Sequence, residues 1–147
     1  MAAGRKSAMY NINAYENFIK NVNVESPELK EVLNLFNENI SFSHAKLRSI
    51  NNDYTVMENI LVKSGISVEH IMDCFNEDGV TWKLGFVKTP SGRRMVLIIN
   101  DEYGKITQSS LIVTAADQKL KIYPYVAKFM KQVHAKYMAL IEGMHNL

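Results

Sequence analysis

Residues 63–75 read KSGISVEHIMDCF, and residues 76–100 continue NEDGVTWKLGFVKTPSGRRMVLIIN. The first stretch carries helical punctuation. Gly65 suits a left-handed helix end, and Ser67 suits an N-cap with Glu69 in the first turn behind it. Val68, Ile71, Met72 and Phe75, with Cys74, then recur as one apolar side. The spacing predicts a helix from Ser67 that Asp78-Gly79 closes. Beyond Gly79 the period drops from about 3.6 to 2. Val80, Trp82, Leu84 and Phe86 alternate with Thr81, Lys83 and Gly85, which is the pattern of a half-buried strand. TPSG at 89–92 is a turn, MVLIIN at 95–100 a central strand, NDEYG at 100–104 a second turn, and ITQ with SSLIV a third strand. A three-stranded antiparallel meander is the expectation.

Upstream of that stretch the pattern is helical. Residues 1–9 are expected to be a flexible tail. A short helix is expected over Asn13 to Val22. Ser26 and Pro27 then mark a strong helix start, with Glu28 and Glu31 near its positive end. Leu29, Val32, Leu33, Phe36 and Ile40 keep helical spacing, and the helix is expected to stop near Asn37–Asn39. Leu47, Ile50, Tyr54, Met57 and Leu61 form another stripe. It fits one helix bent near Asn51-Asn52, or two helices with Asp53 capping the second. Downstream, Leu120, Tyr123, Ala127, Met130, Val133, Tyr137 and Leu140 share one phase. Pro124 interrupts it and requires a kink or a helix start at that point. A helix from Asp117 is preferred, with a fourth short strand at 119–122 as the alternative. The fold class is therefore α+β: an N-terminal helical layer, a three-stranded meander and a long C-terminal helix, in one domain over 1–147.

Composition narrows the function classes. The chain has 147 residues, 47% hydrophobic and 22% charged, which is ordinary globular chemistry. No apolar run approaches membrane-spanning length, so no membrane association is expected. The single cysteine cannot form an internal disulfide and points to a cytoplasmic setting. Net charge is +2 but unevenly spread: residues 23–78 sum to −6 and residues 79–147 to +6. Such asymmetry either holds the two parts together or steers partners.

The order helix, Gly65-Ile66-Ser67, helix, strand, TPSGRR hairpin, strand resembles that of winged helix-turn-helix proteins. The resemblance covers about residues 54–76, with the strand, hairpin and strand following in the winged-helix order, and implies DNA reading by the second helix. That helix would present Glu69, His70 and Asp73, of which the two acidic residues repel phosphates. The corner is accordingly expected to be a packing element. The hairpin is the better anion contact, with Lys88, Arg93 and Arg94 around its turn and Trp82 on the preceding strand.

No residue set selects a reaction. The four histidines lack zinc spacing, and no phosphate-binding glycine loop or nucleophile elbow is present. No cofactor and no metal are expected. Cys74 is expected to be a buried thiol; on a helix, His70 would lie one turn from it. Tyr125 and Phe129 fall off the main phase of the last helix and suggest a second apolar side. The functional expectation is a non-enzymatic protein-interaction or adaptor module, homodimeric through its C-terminal helix. The alternatives are a nucleic-acid-binding protein using the basic hairpin, and an enzyme or small-ligand binder with a pocket between sheet and helices near Trp82.

Overall fold

The computed structural model describes residues 12–65 and 68–145. The expected tail at 1–9 and the cap at Ser67 lie outside these residues. Helix α1 spans Ile12–Lys20, and α2 spans Pro27–Lys63 without interruption. The Ser26 hydroxyl accepts the Leu29 N–H at 3.4 Å, so the start of α2 forms as the sequence implies. The expected stop at Asn37–Asn39 does not occur, and there is no break at Asn51-Asn52 with a second helix from Asp53. Asparagine is a modest helix former, and residues 28–64 contain neither Gly nor Pro to end the helix. The 37 residues of α2 give a rod about 55 Å long at 1.5 Å per residue.

The helix expected after Ser67 is absent, and its residues form a strand. β1 spans His70–Glu77, β2 Val80–Thr89, β3 Gly92–Asn100 and β4 Ile106–Ser110, in one antiparallel sheet of order β1-β2-β3-β4. The meander thus has four strands rather than three, and the helix-turn-helix corner is overturned. Asp78-Gly79 decides the matter. Glu77 pairs with Val80 across these two residues, whose φ values are 54° and 81°. Positive φ at both positions is the mark of a two-residue hairpin turn whose twist matches the strands. Asp-Gly closes a hairpin here rather than a helix. Cys74 is the extra residue where the β1–β2 register slips between Asp73 and Phe75.

After β4 the chain forms α3 at Ala116–Ile122, a 3₁₀ turn at Tyr123–Tyr125 and α4 at Val126–His145. Pro124 sits in the 3₁₀ turn, so the expected kink takes the form of a switch in helix type. No strand forms at 119–122. Lys119 is buried; its ammonium donates to Asn51 Oδ1 at 2.9 Å. Burial lowers its pKa.

One face of the sheet carries the core. Met72, Leu84, Phe86, Met95 and Leu97 pack against Ile50 and Tyr54 of α2 and against Val126, Phe129 and Val133 of α4. Two polar contacts fix α2 on this face. The Tyr54 hydroxyl donates to the Lys119 carbonyl at 2.8 Å. Glu58, only 5% exposed, accepts the Met95 N–H at 2.9 Å and lies 3.5 Å from the Arg94 guanidinium. β4 pairs with Val96–Asn100 and ends before Met95, so the Glu58 carboxylate takes the place of the missing strand partner. Glu58→Ala leaves that N–H unsatisfied. Urea unfolding should show a loss of about 1–3 kcal/mol, and Glu58→Gln, which keeps an acceptor, should recover most of it.

Candidate functional site

Among the residues singled out in the sequence, the basic hairpin is tied down by carboxylates. Arg93 lies 3.9 Å from Glu69, Arg94 lies 3.5 Å from Glu58, and the Lys88 backbone N–H donates to Glu69 at 3.1 Å. A guanidinium already facing a carboxylate has less to offer a phosphate. Trp82 stacks on Phe75 with ring centroids 5.2 Å apart, and the Lys121 ammonium sits 5.3 Å from the indole. Tyr125 packs on the far side of Phe75, also at 5.2 Å. Trp82 and Tyr125 thus belong to one aromatic cluster at an end of the sheet, well away from the hairpin. Phe129 is 0% exposed and stacks near His70, whose ring bonds Gln132 at 2.6 Å. The second apolar side assigned to α4 through Tyr125 and Phe129 is therefore the side that meets the chain's own sheet.

The Cys/His arrangement fails with the helix that would have carried it. On a strand, His70 and Cys74 stand four residues apart, about 13 Å at 3.3 Å per residue. Burial pushes the Cys74 thiol from its ordinary 9.0 up to about 11, so it is protonated at neutral pH. Among the described residues no three His, Cys, Asp or Glu side chains gather as a metal site requires.

The open concavity lies between α2 and α4. Residues 52–57 of α2 meet 123–127, and residues 60–64 meet 130–137, so the two helices run in the same direction. They are splayed enough to leave a cleft. At its wider-lined end, Ile60, Leu61, Phe86, Met130, Val133 and Tyr137 enclose a cavity of about 360 Å³. Phe86 and Val133 supply its buried floor, and Lys63 and His134 stand at its rim. One turn back along both helices, Val56, Met57, Pro124 and Ala127 line a second cavity of about 510 Å³. The two form a trough about 18 Å long over residues 52–64 of α2. Its chemistry is apolar with basic groups at one end. Among the described residues Lys63 has no carboxylate partner.

The sequence placed Ala127, Met130 and Tyr137 on the inward phase of α4. The structure puts Val133 in the core and leaves Ala127, Met130 and Tyr137 along the cleft. The signal was present, but periodicity alone does not say whether an apolar side meets a neighbour or a gap.

The other unusual feature is the free end of α2. Its first half extends past the sheet and, among the described residues, is accompanied by α1. Tyr15 sets its ring edge on His44 at 5.2 Å and donates to Asn37 at 3.3 Å, and Glu16 pairs with Arg48 at 3.0 Å. α1 covers one side of this arm. Leu29, Val32, Leu35, Phe36 and Phe42 remain exposed, Phe36 by 60% and Phe42 by 73%. No family model, curated protein or solved structure matches this chain.

The thiol is a direct probe of the fold beside the site. Its folded pKa lies above its unfolded value, so the stability it contributes is present below about pH 9 and is lost as pH rises toward 11. Alkylation of Cys74 should be slow at pH 8, accelerate steeply above pH 10, and jump at pH 8 once the chain is unfolded in urea. Fast native labelling at pH 8 would contradict the half-buried, protonated thiol.

Proposed function

We propose that this protein is a non-enzymatic interaction module that takes an amphipathic helix in the trough between α2 and α4. The observation that carries the proposal is the pairing of an open apolar cleft, floored by Phe86 and Val133, with Lys63 at one end, which has no carboxylate partner among the described residues. Helix-in-groove recognition uses apolar anchors spaced i, i+3, i+7 seated between two helices. Rim charges set orientation and reject the wrong partner. A basic rim selects an acidic amphipathic helix. A cytoplasmic setting, suggested by the single cysteine, is part of the same proposal.

The native methionines report on this site. Met57 and Met130 line the trough, Met72 and Met95 lie in the core, and Met138 and Met144 stand exposed elsewhere on α4. The chain is methyl-labelled at methionine and its own arm is disabled by Leu35→Glu with Phe42→Glu. Two designed helical peptides, one acidic and one basic, with identical apolar anchors, are then titrated by NMR. The acidic peptide should shift Met57 and Met130, bind at least about tenfold more tightly than the basic one, a difference of about 1.4 kcal/mol, and weaken with salt. Shifts confined to Met138 and Met144, or equal binding of both peptides, would refute the proposal.

A further inference from the structure

We infer that the helix seated in this trough is the α2 arm of a second copy of the same chain, giving a closed antiparallel dimer. The inference rests on the groove reading above and names its occupant.

The arm has the chemistry the trough selects. Leu29, Val32 and Phe36 are exposed at i, i+3 and i+7, and Leu35 and Phe42 widen the stripe. Glu25, Glu28, Glu31 and Glu38 flank it, and among the described residues none of them has a basic partner. At 100° per residue, Leu35 and Phe42 point nearly opposite to Asn37 and His44, the positions α1 covers. The stripe is therefore clear of the helix that accompanies the arm.

The spacing closes on itself. Val32, Leu35, Asn39, Phe42, Lys46, Ser49, Asp53, Val56, Ile60 and Lys63 follow alternating steps of three and four along α2. That is a heptad seam, apolar toward both ends and polar in the middle. Antiparallel pairing of two α2 helices about a two-fold axis between Lys46 and Ser49 sets Leu35 beside Ile60, Asn39 beside Val56 and Val32 beside Lys63. Glu28 and Glu31 of one copy then reach the basic end of the other's trough. Residues 32–42 and residues 53–63 are equal in length, so the stripe matches the trough wall along its whole run. The contact is made twice, which doubles the apolar area covered, and a two-fold operation closes the assembly without leaving a free arm. An in-register parallel pair would set Lys46, Asp53 and Lys63 each beside its own copy, like charge against like, whereas the antiparallel register brings Glu28 and Glu31 toward Lys63.

The test is the solution mass of the full chain by light scattering and sedimentation equilibrium, from low micromolar to high concentration. The wild type should have twice the chain mass. The arm variant Leu35→Glu with Phe42→Glu, and the groove variant Val56→Glu with Ile60→Glu, should each be monomeric with unchanged helical circular dichroism, because all four side chains are exposed in the single chain. Mixed, the two variants should recover a dimer of one of each, held by the intact arm of one in the intact groove of the other. A monomeric wild type overturns the inference, as does a groove variant that dimerises like the wild type, or a mixture that recovers no dimer. If the acidic peptide shifts Met57 and Met130 while the wild type is monomeric, the groove reading stands and only its occupant is wrong.

Discussion

The sheet has one apolar face to bury, and α2 crosses it with a stripe far longer than the face. Helix-side positions of β1, β2 and β3 gather around Tyr54, which is fully buried and donates its hydroxyl to the Lys119 carbonyl. A buried phenol without a partner would cost more than its ring contributes at that spot, so the position of α3 follows from the position of α2. Glu58 fixes the same helix one turn on, by extending the β3 ladder where β4 has ended. These two contacts set the angle at which α2 leaves the sheet. Everything N-terminal of Ile40 is left without a floor.

That mismatch accounts for both surfaces of interest. The second half of α2 shares the sheet with α4, and the two helices stand far enough apart to leave Phe86 visible between them. The first half keeps the same apolar phase with, among the described residues, only α1 beside it. Apolar surface of this extent on a helix carries a cost in water unless something covers it. Charge separates the two surfaces: among the described residues, carboxylates without basic partners lie on the arm and the Lys63 ammonium without a carboxylate partner stands at the trough. The charge asymmetry of the sequence, −6 over residues 23–78 and +6 over residues 79–147, is only partly neutralised by the four ion pairs that join the two parts among the described residues.

The hairpin that resembled a wing illustrates how local chemistry misleads. Arg93 and Arg94 look free in the sequence because their partners, Glu69 and Glu58, are remote along the chain. Phe129 looked like a second face because helical phase was counted from Leu120 through a proline. The 3₁₀ turn at Tyr123–Tyr125 resets the phase, and the buried side of α4 becomes Val126, Phe129 and Val133. Neither misplacement could be corrected by finer counting of residues. Both depend on what lies across the fold.

The sequence by itself determined the mixed α and β character, the Ser26-Pro27 start of α2, the two later turns of the meander and the break at Pro124. Each is a short-range matter of caps, fixed backbone angles and periods of 2 or 3.6. Asp78-Gly79 was equally legible as a hairpin turn, but HIMDC has weak strand propensity and the helical reading prevailed over it. Only pairing with β2 made that segment a strand, because a strand gains its hydrogen bonds from a neighbour and a helix from itself. Tertiary structure alone decided the uninterrupted length of α2, the burial of Lys119 and Phe129, the pairing of the hairpin arginines and the cleft between α2 and α4. A cleft is the space that packing leaves, and no residue encodes it singly.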